Sequence, residues 1–127
     1  MTSLTAATFL PFGAHAYSAV EYAPNTWREL RDNDNKVILN FRASWSLTCQ
    51  IKQDILTQLL QETPAYQNLT FLEVDWDTFG RSQWTERLKV KRRSTLIAMK
   101  GKNEIARVVN EPYARSLRRL LDAALAA

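Results

Sequence analysis

Residues 37–49 constrain this chain more than any other stretch. Val37-Ile38-Leu39-Asn40-Phe41 is apolar at every position but Asn40, and such a run reads as a strand buried on both faces. From Leu47 the period changes: Ile51, Ile55, Leu56, Leu59 and Leu60 recur at helical spacing, with Pro64 just beyond. A strand therefore feeds a long helix through a short connection, Arg42-Ala43-Ser44-Trp45, and a four-residue window, Ser46-Leu47-Thr48-Cys49. Asn40 carries a polar side chain into the sheet and needs an internal partner.

The remaining elements follow from the same signals. Asn25-Thr26 offers an N-cap ahead of a short helix over 27–31, and Asp32-Asn33-Asp34-Asn35 is a turn cluster. Residues 69–74 read as a strand, Asp75-Trp76-Asp77 as a turn and 79–88 as a helix. Residues 95–99 and 104–109 read as strands joined by the hairpin turn Lys100-Gly101-Lys102-Asn103. Pro112 marks a first helical position. Leu117, Leu120, Leu121 and Leu125 then give the last helix an apolar face, with Arg115, Arg118 and Arg119 toward solvent. Early strands joined by a helix are expected parallel with a right-handed crossover, and the final pair antiparallel. The expected architecture is α/β: a mixed four-stranded sheet with helices on both faces, over residues 23–127. Residues 1–22 show no steady period and read as an N-terminal tail or signal remnant.

Composition narrows the function classes. The 127 residues suit one domain, and 46% hydrophobic with 24% charged residues is a globular balance. The net charge of +4 favours acidic partners mildly, but the signs are mixed along the chain. No apolar run reaches the roughly 18 residues of a membrane span, so no integral membrane segment is expected. The single cysteine forbids an intramolecular disulfide, and with His15 the only histidine no zinc site is expected. A Gly-rich phosphate loop, a nucleophile elbow and a dinucleotide fingerprint are all missing, so no cofactor is expected. Basic residues do not interleave with aromatics in a nucleic-acid pattern, so nucleic acid is not an expected partner. Trp27, Trp76 and Trp84 read as packing residues. Ala14-His15-Ala16 has the small-x-small form of a signal-peptidase site. Against it, no Lys or Arg precedes the mild apolar stretch before it, and Pro11 and Gly13 interrupt that stretch. An exported, periplasmic location is one expectation, and a plain tail on a cytoplasmic protein is the other.

The strand ending in Ala43-Ser44-Trp45 and the window after it resemble the thioredoxin superfamily, in particular its exported bacterial type, where the window is Trp-Cys-x-x-Cys. The resemblance covers roughly residues 25–126 and implies the three-layer thioredoxin-like fold. It places Ser46 at the nucleophile position, Cys49 at the resolving position and Trp45 beside the site. A serine hydroxyl stays protonated near neutral pH and forms no disulfide, so two-thiol cycling is closed. Ser46 also reads as an N-cap, worth about 1 kcal/mol to a helix. A natural loss and an introduced replacement at position 46 both remain open. Cys49 reads either as a small buried hydrophobe or as a lone thiol tuned by the helix N-terminus. Asn40 matches a buried aspartate that serves the family as proton acceptor, a task an amide cannot perform.

By the same resemblance, Arg93-Ser94-Thr95 matches the segment that pairs with substrate, with Ser94 in the slot of a cis-proline. A cis bond before serine costs about 3 kcal/mol or more, so a trans peptide is expected there. Lys89, Lys91, Arg92 and Arg93 form a basic loop, read as solvated or as an attractor of acidic peptide segments. The implied function is that of a thiol–disulfide oxidoreductase lineage whose nucleophile is lost. The implied partner is a cysteine-containing or disulfide-bearing protein, held at Trp45, Leu47, Arg93, Ser94 and Thr95 by a monomer. The alternative is a non-enzymatic protein-binding module on the same scaffold.

Overall fold

The computed structural model describes residues 17–127. Ala14-His15-Ala16 and the rest of the expected signal remnant lie outside the described residues. The elements are β1 (Val20–Glu21), α1 (Pro24–Asp32), β2 (Lys36–Arg42), α2 (Leu47–Glu62), a 3-10 helix (Pro64–Asn68), β3 (Thr70–Asp75), α3 (Trp76–Phe79), α4 (Gln83–Arg87), β4 (Thr95–Lys100), β5 (Asn103–Val109) and α5 (Ala114–Ala126).

Among the described residues the sheet has five strands in the order β1-β3-β2-β4-β5. β2 is its centre, parallel to β3 and antiparallel to β4. Its residues 37–41 are all buried, as a strand covered on both faces requires. Ile38 joins Phe71 and Leu96 on the face covered by Leu56, Leu59 and Leu60 of α2 and by Leu117, Leu120 and Leu121 of α5. Val37, Leu39 and Phe41 turn to the other face, where Trp27 of α1 packs, with Trp76, Phe79 and Trp84 against the same cluster. The three tryptophans are thus packing residues. Alternation along β2 puts Asn40 on the α2 face with Ile38.

The structure corrects several expectations. The sheet has a fifth strand because Val20 pairs with Leu72 and Glu21 with Glu73. Tyr22 donates its N–H to the Glu73 carbonyl at 2.8 Å and stacks on Trp84 at 4.2 Å. β1 has only two residues, both exposed, so it leaves no alternating signal. The turn expected at Asp75-Trp76-Asp77 opens a short helix, and the helix expected over 79–88 is reduced to Gln83–Arg87, because Asp75 and Ser82 each cap a separate start. Gly80 closes the first of them with an N–H to the Trp76 carbonyl at 2.8 Å. α1 starts at Pro24, ahead of Asn25-Thr26, because proline suits a first helical position. Conversely α5 starts two residues after Pro112, since Tyr113 is extended at φ −123.

Candidate thiol site at the start of helix α2

β2 ends at Arg42 and α2 begins at Leu47, so Ala43 to Ser46 make the whole turn between sheet and helix. Ser46 is the N-cap: its Oγ accepts the Cys49 N–H at 3.3 Å. That bond turns the hydroxyl inward, and Ser46 is only 3% exposed. Cys49, on the first turn of α2, is 0% exposed. The surface over the site consists of the flanking residues, with Trp45 60% and Leu47 69% exposed.

Trp45 is held on two sides. Its Nε1 donates to both carboxylate oxygens of Asp77, at 3.0 and 3.1 Å. The Arg93 guanidinium carbon lies 4.7 Å from the ring centroid, a cation–π distance. The window, the start of α3 and the loop before β4 are thereby tied together. Lys91, Arg92, Arg93, Asn110 and Trp76 line a cleft beside this contact, and Lys89 stands exposed on the same loop.

Ser94 lies beneath the surface, 1% exposed. The described residues contain no cis peptide bond, and Ser94 adopts φ +63, a left-handed conformation. Its N–H donates to the Phe41 carbonyl at 2.8 Å, and its carbonyl accepts from the Asn110 N–H at 3.0 Å. Both backbone groups of Ser94 are thus used inside the fold. Its Oγ faces Cys49 but meets no hydrogen-bond geometry among the described residues. Thr95 is buried, its Oγ1 donating to the Arg92 carbonyl at 2.6 Å. Of the site residues expected from sequence, Ser46, Cys49 and Ser94 converge around the sulfur. Trp45 and Arg93 meet above it, Leu47 stands free at the surface, and Thr95 faces inward.

Burial pushes the Cys49 thiol up. The Ser46 hydroxyl, the Ala43 backbone, the positive charge of Lys52 and the Ser94 hydroxyl pull it down, and together they hold it below the usual thiol value. Lys52 is the site residue that sequence reading missed. It is 1% exposed, and its Nζ donates to the Phe41 carbonyl at 3.5 Å. Burial pulls its ammonium down to about 7, with the Cys49 charge acting to raise it, Arg42 to lower it and Glu73 to raise it. A signal was present: positions 49, 52, 56, 59 and 60 form the buried stripe of α2, and Lys52 is the charge within it.

Asn40, 0% exposed, donates from Nδ2 to the Tyr17 phenol at 3.0 Å. Arg42 and Glu73 pair across β2 and β3 at 3.3 Å. The described residues hold no group of three His, Cys, Asp or Glu side chains placed to take a metal. None of their helices is long and apolar enough to cross a membrane.

The chain is similar to several solved structures. Trxlp from Edwardsiella tarda EIB202 is 25% identical, with a TM-score of 0.70 over 81% of this chain and 98% of that one. Thioredoxin from Trypanosoma brucei brucei is 21% identical, with a TM-score of 0.68 over 87% and 93%. Malassezia sympodialis thioredoxin (Mala s 13) is 20% identical, with a TM-score of 0.70 over 87% and 94%; at these last two identities the likeness is one of fold. A search of curated protein sequences finds no significant match. The family description "Thioredoxin" matches residues 18–123, from the strand that sequence periodicity missed to the last helix. With the window seated between the central strand and α2, the chain belongs to the thioredoxin family, the lineage of thiol–disulfide oxidoreductases, and carries a single cysteine.

Proposed function

We propose that this protein captures a disulfide-bearing partner protein and does not turn it over by a two-thiol cycle. The observation that carries the reading is the pairing of roles in the window. Ser46 is spent as a helix cap, and Cys49 is the one thiol. The Cys49 thiolate attacks a partner disulfide, one partner sulfur leaves as a thiolate, and a mixed disulfide forms. Cys49 is oxidised to the mixed disulfide as the departing partner sulfur is reduced to a thiolate, so no outside oxidant is needed, and no second thiol in the chain can release the product. Trp45, Leu47 and Arg93 supply the docking surface above the sulfur, and Ser94 and Thr95 shape the loop beneath it. The Ala14-His15-Ala16 segment supports an exported location for this work.

The test compares the native chain with Ser46→Cys, using a protein disulfide as substrate. The native chain is expected to form at most one equivalent of mixed disulfide at Cys49. Ser46→Cys is expected to form an internal disulfide and to reduce many equivalents. Multiple turnovers by the native chain would overturn the reading. A second reading, a binding module without thiol chemistry, is favoured by the complete burial of Cys49. It predicts that Cys49→Ser binds the same partner undiminished and that no mixed disulfide forms.

A further inference from the structure

An ammonium in a protein interior loses hydration worth several kcal/mol unless it is well paired, and Lys52 is poorly paired. Among the described residues its Nζ makes one hydrogen bond, a long one to the Phe41 carbonyl, and no salt bridge. The nearby carboxylate, Glu73, is engaged by Arg42. What Lys52 does have beside it is Cys49, three residues earlier on the same face of α2 and equally buried. Both side chains reach the same end of β2, Lys52 to the Phe41 carbonyl and Cys49 to the Ala43 backbone.

We infer that Lys52 is the proton acceptor for Cys49. The S–H bond breaks, the proton passes to the neutral Nζ, and a thiolate and an ammonium are left three positions apart on the buried face of α2. Asn40 cannot take the part: it is an amide, and its Nδ2 is already committed to Tyr17. The other charged groups near the pair are Arg42 on β2 and Glu73 on β3, which neutralise each other. Two hydroxyls address the sulfur, Ser46 from the helix start and Ser94 from the loop before β4. Ser94 Oγ, buried and without a partner among the described residues, is a donor positioned for the anion. Burial draws Lys52 down while Ser46, the Ala43 backbone, Lys52 and Ser94 hold Cys49 below its usual value, so the two groups titrate as a coupled pair.

The inference deepens the capture function, resting on Cys49 as the working thiol. It is tested by following thiolate absorbance against pH in the full chain, with Cys49→Ala as the blank. Lys52→Met is expected to raise the thiol midpoint by about one pH unit or more. An unchanged midpoint overturns the inference. Reciprocity gives a second readout that survives if Lys52→Met fails to fold. The side-chain NMR resonance of Lys52 should titrate at lower pH in Cys49→Ala, where the anionic partner is gone; an unmoved lysine midpoint also overturns it. A coupled titration without any mixed disulfide would sustain Lys52 as acceptor and defeat the capture function instead.

Discussion

The side-chain amide of Asn40 donates to the phenol oxygen of Tyr17, 3.0 Å away, and so ties the centre of the sheet to the segment preceding β1. Tyr17 packs edge-on against Phe71 at 5.3 Å, and Asn40 Oδ1 has no hydrogen-bond partner among the described residues. Tyr17→Phe removes the one acceptor for Nδ2 among the described residues and leaves a buried amide unsatisfied. The expected loss is about 1–3 kcal/mol, read from urea unfolding at neutral pH. Burial also raises the Tyr17 phenol to about 12, against roughly 10 in an unfolded chain. The folded state therefore holds this proton more tightly. Its contribution is complete below about pH 10 and is lost as pH rises toward 12, and Tyr17→Phe should flatten that alkaline decline.

Lys52 gives the opposite slope in a different window. In the unfolded chain it is an ordinary lysine near 10.4, whereas in the fold it lies at about 7. Between those values the unfolded state binds a proton that the folded state lacks, so stability rises with pH. The contribution is complete above about pH 10 and is lost as pH falls through 7. Lys52→Met removes the buried charge and Lys52's share of the slope, leaving only what the lowered Cys49 thiol contributes. We expect it to stabilise the protein at pH 7 by about 1–4 kcal/mol, the range seen when buried ionic groups become apolar. Urea midpoints at several pH values from 6 to roughly 10 check this, and a slope undiminished in Lys52→Met would defeat it.

Ser46→Ala tests the cap. The Cys49 N–H loses its side-chain acceptor, and the expected cost is about 1 kcal/mol. The thiol should also ionise at higher pH, because the Ser46 hydroxyl is the largest influence lowering it. A stability loss with an unmoved thiol titration would mean that Ser46 caps the helix and does nothing for the sulfur.

How much of this was legible in the sequence depends on how each feature signals. β2, α2 and the β4–β5 hairpin bury side chains at a regular period, and periodicity finds them. The αL turn is marked by Gly101 at φ +57, whose added Cβ would meet Asp34 Oδ1 at 2.5 Å. β1 pairs through its backbone while both its side chains face solvent, so nothing in its side chains announces it. The break between α3 and α4 hid because Trp84 and Leu88 keep helical spacing while the local caps, Asp75 and Ser82, decide the geometry. At the site, Ser46 and Cys49 could be placed from the window. Lys52 could not, because a lysine in a helix normally reads as solvated, and only its place in the buried stripe argues otherwise. The contacts Trp45–Asp77 and Asn40–Tyr17 join elements 32 and 23 residues apart, beyond the reach of local pattern.

Trp45 supplies the last prediction. Its indole N–H is bound by Asp77 and its ring lies against Arg93, yet the residue is 60% exposed. An interaction so open to water adds little to folding, and exposed charged contacts are typically worth about 0–1 kcal/mol. Asp77→Ala should therefore leave the urea midpoint nearly unchanged while the Trp45 indole N–H exchanges with solvent faster, as followed by NMR. Because the same contact fixes the tryptophan above Cys49, mixed-disulfide formation with a protein partner should also slow. Faster indole exchange without slower capture would show that the ring's position is irrelevant to docking. Slower capture with unchanged stability would locate the partner's approach over Trp45.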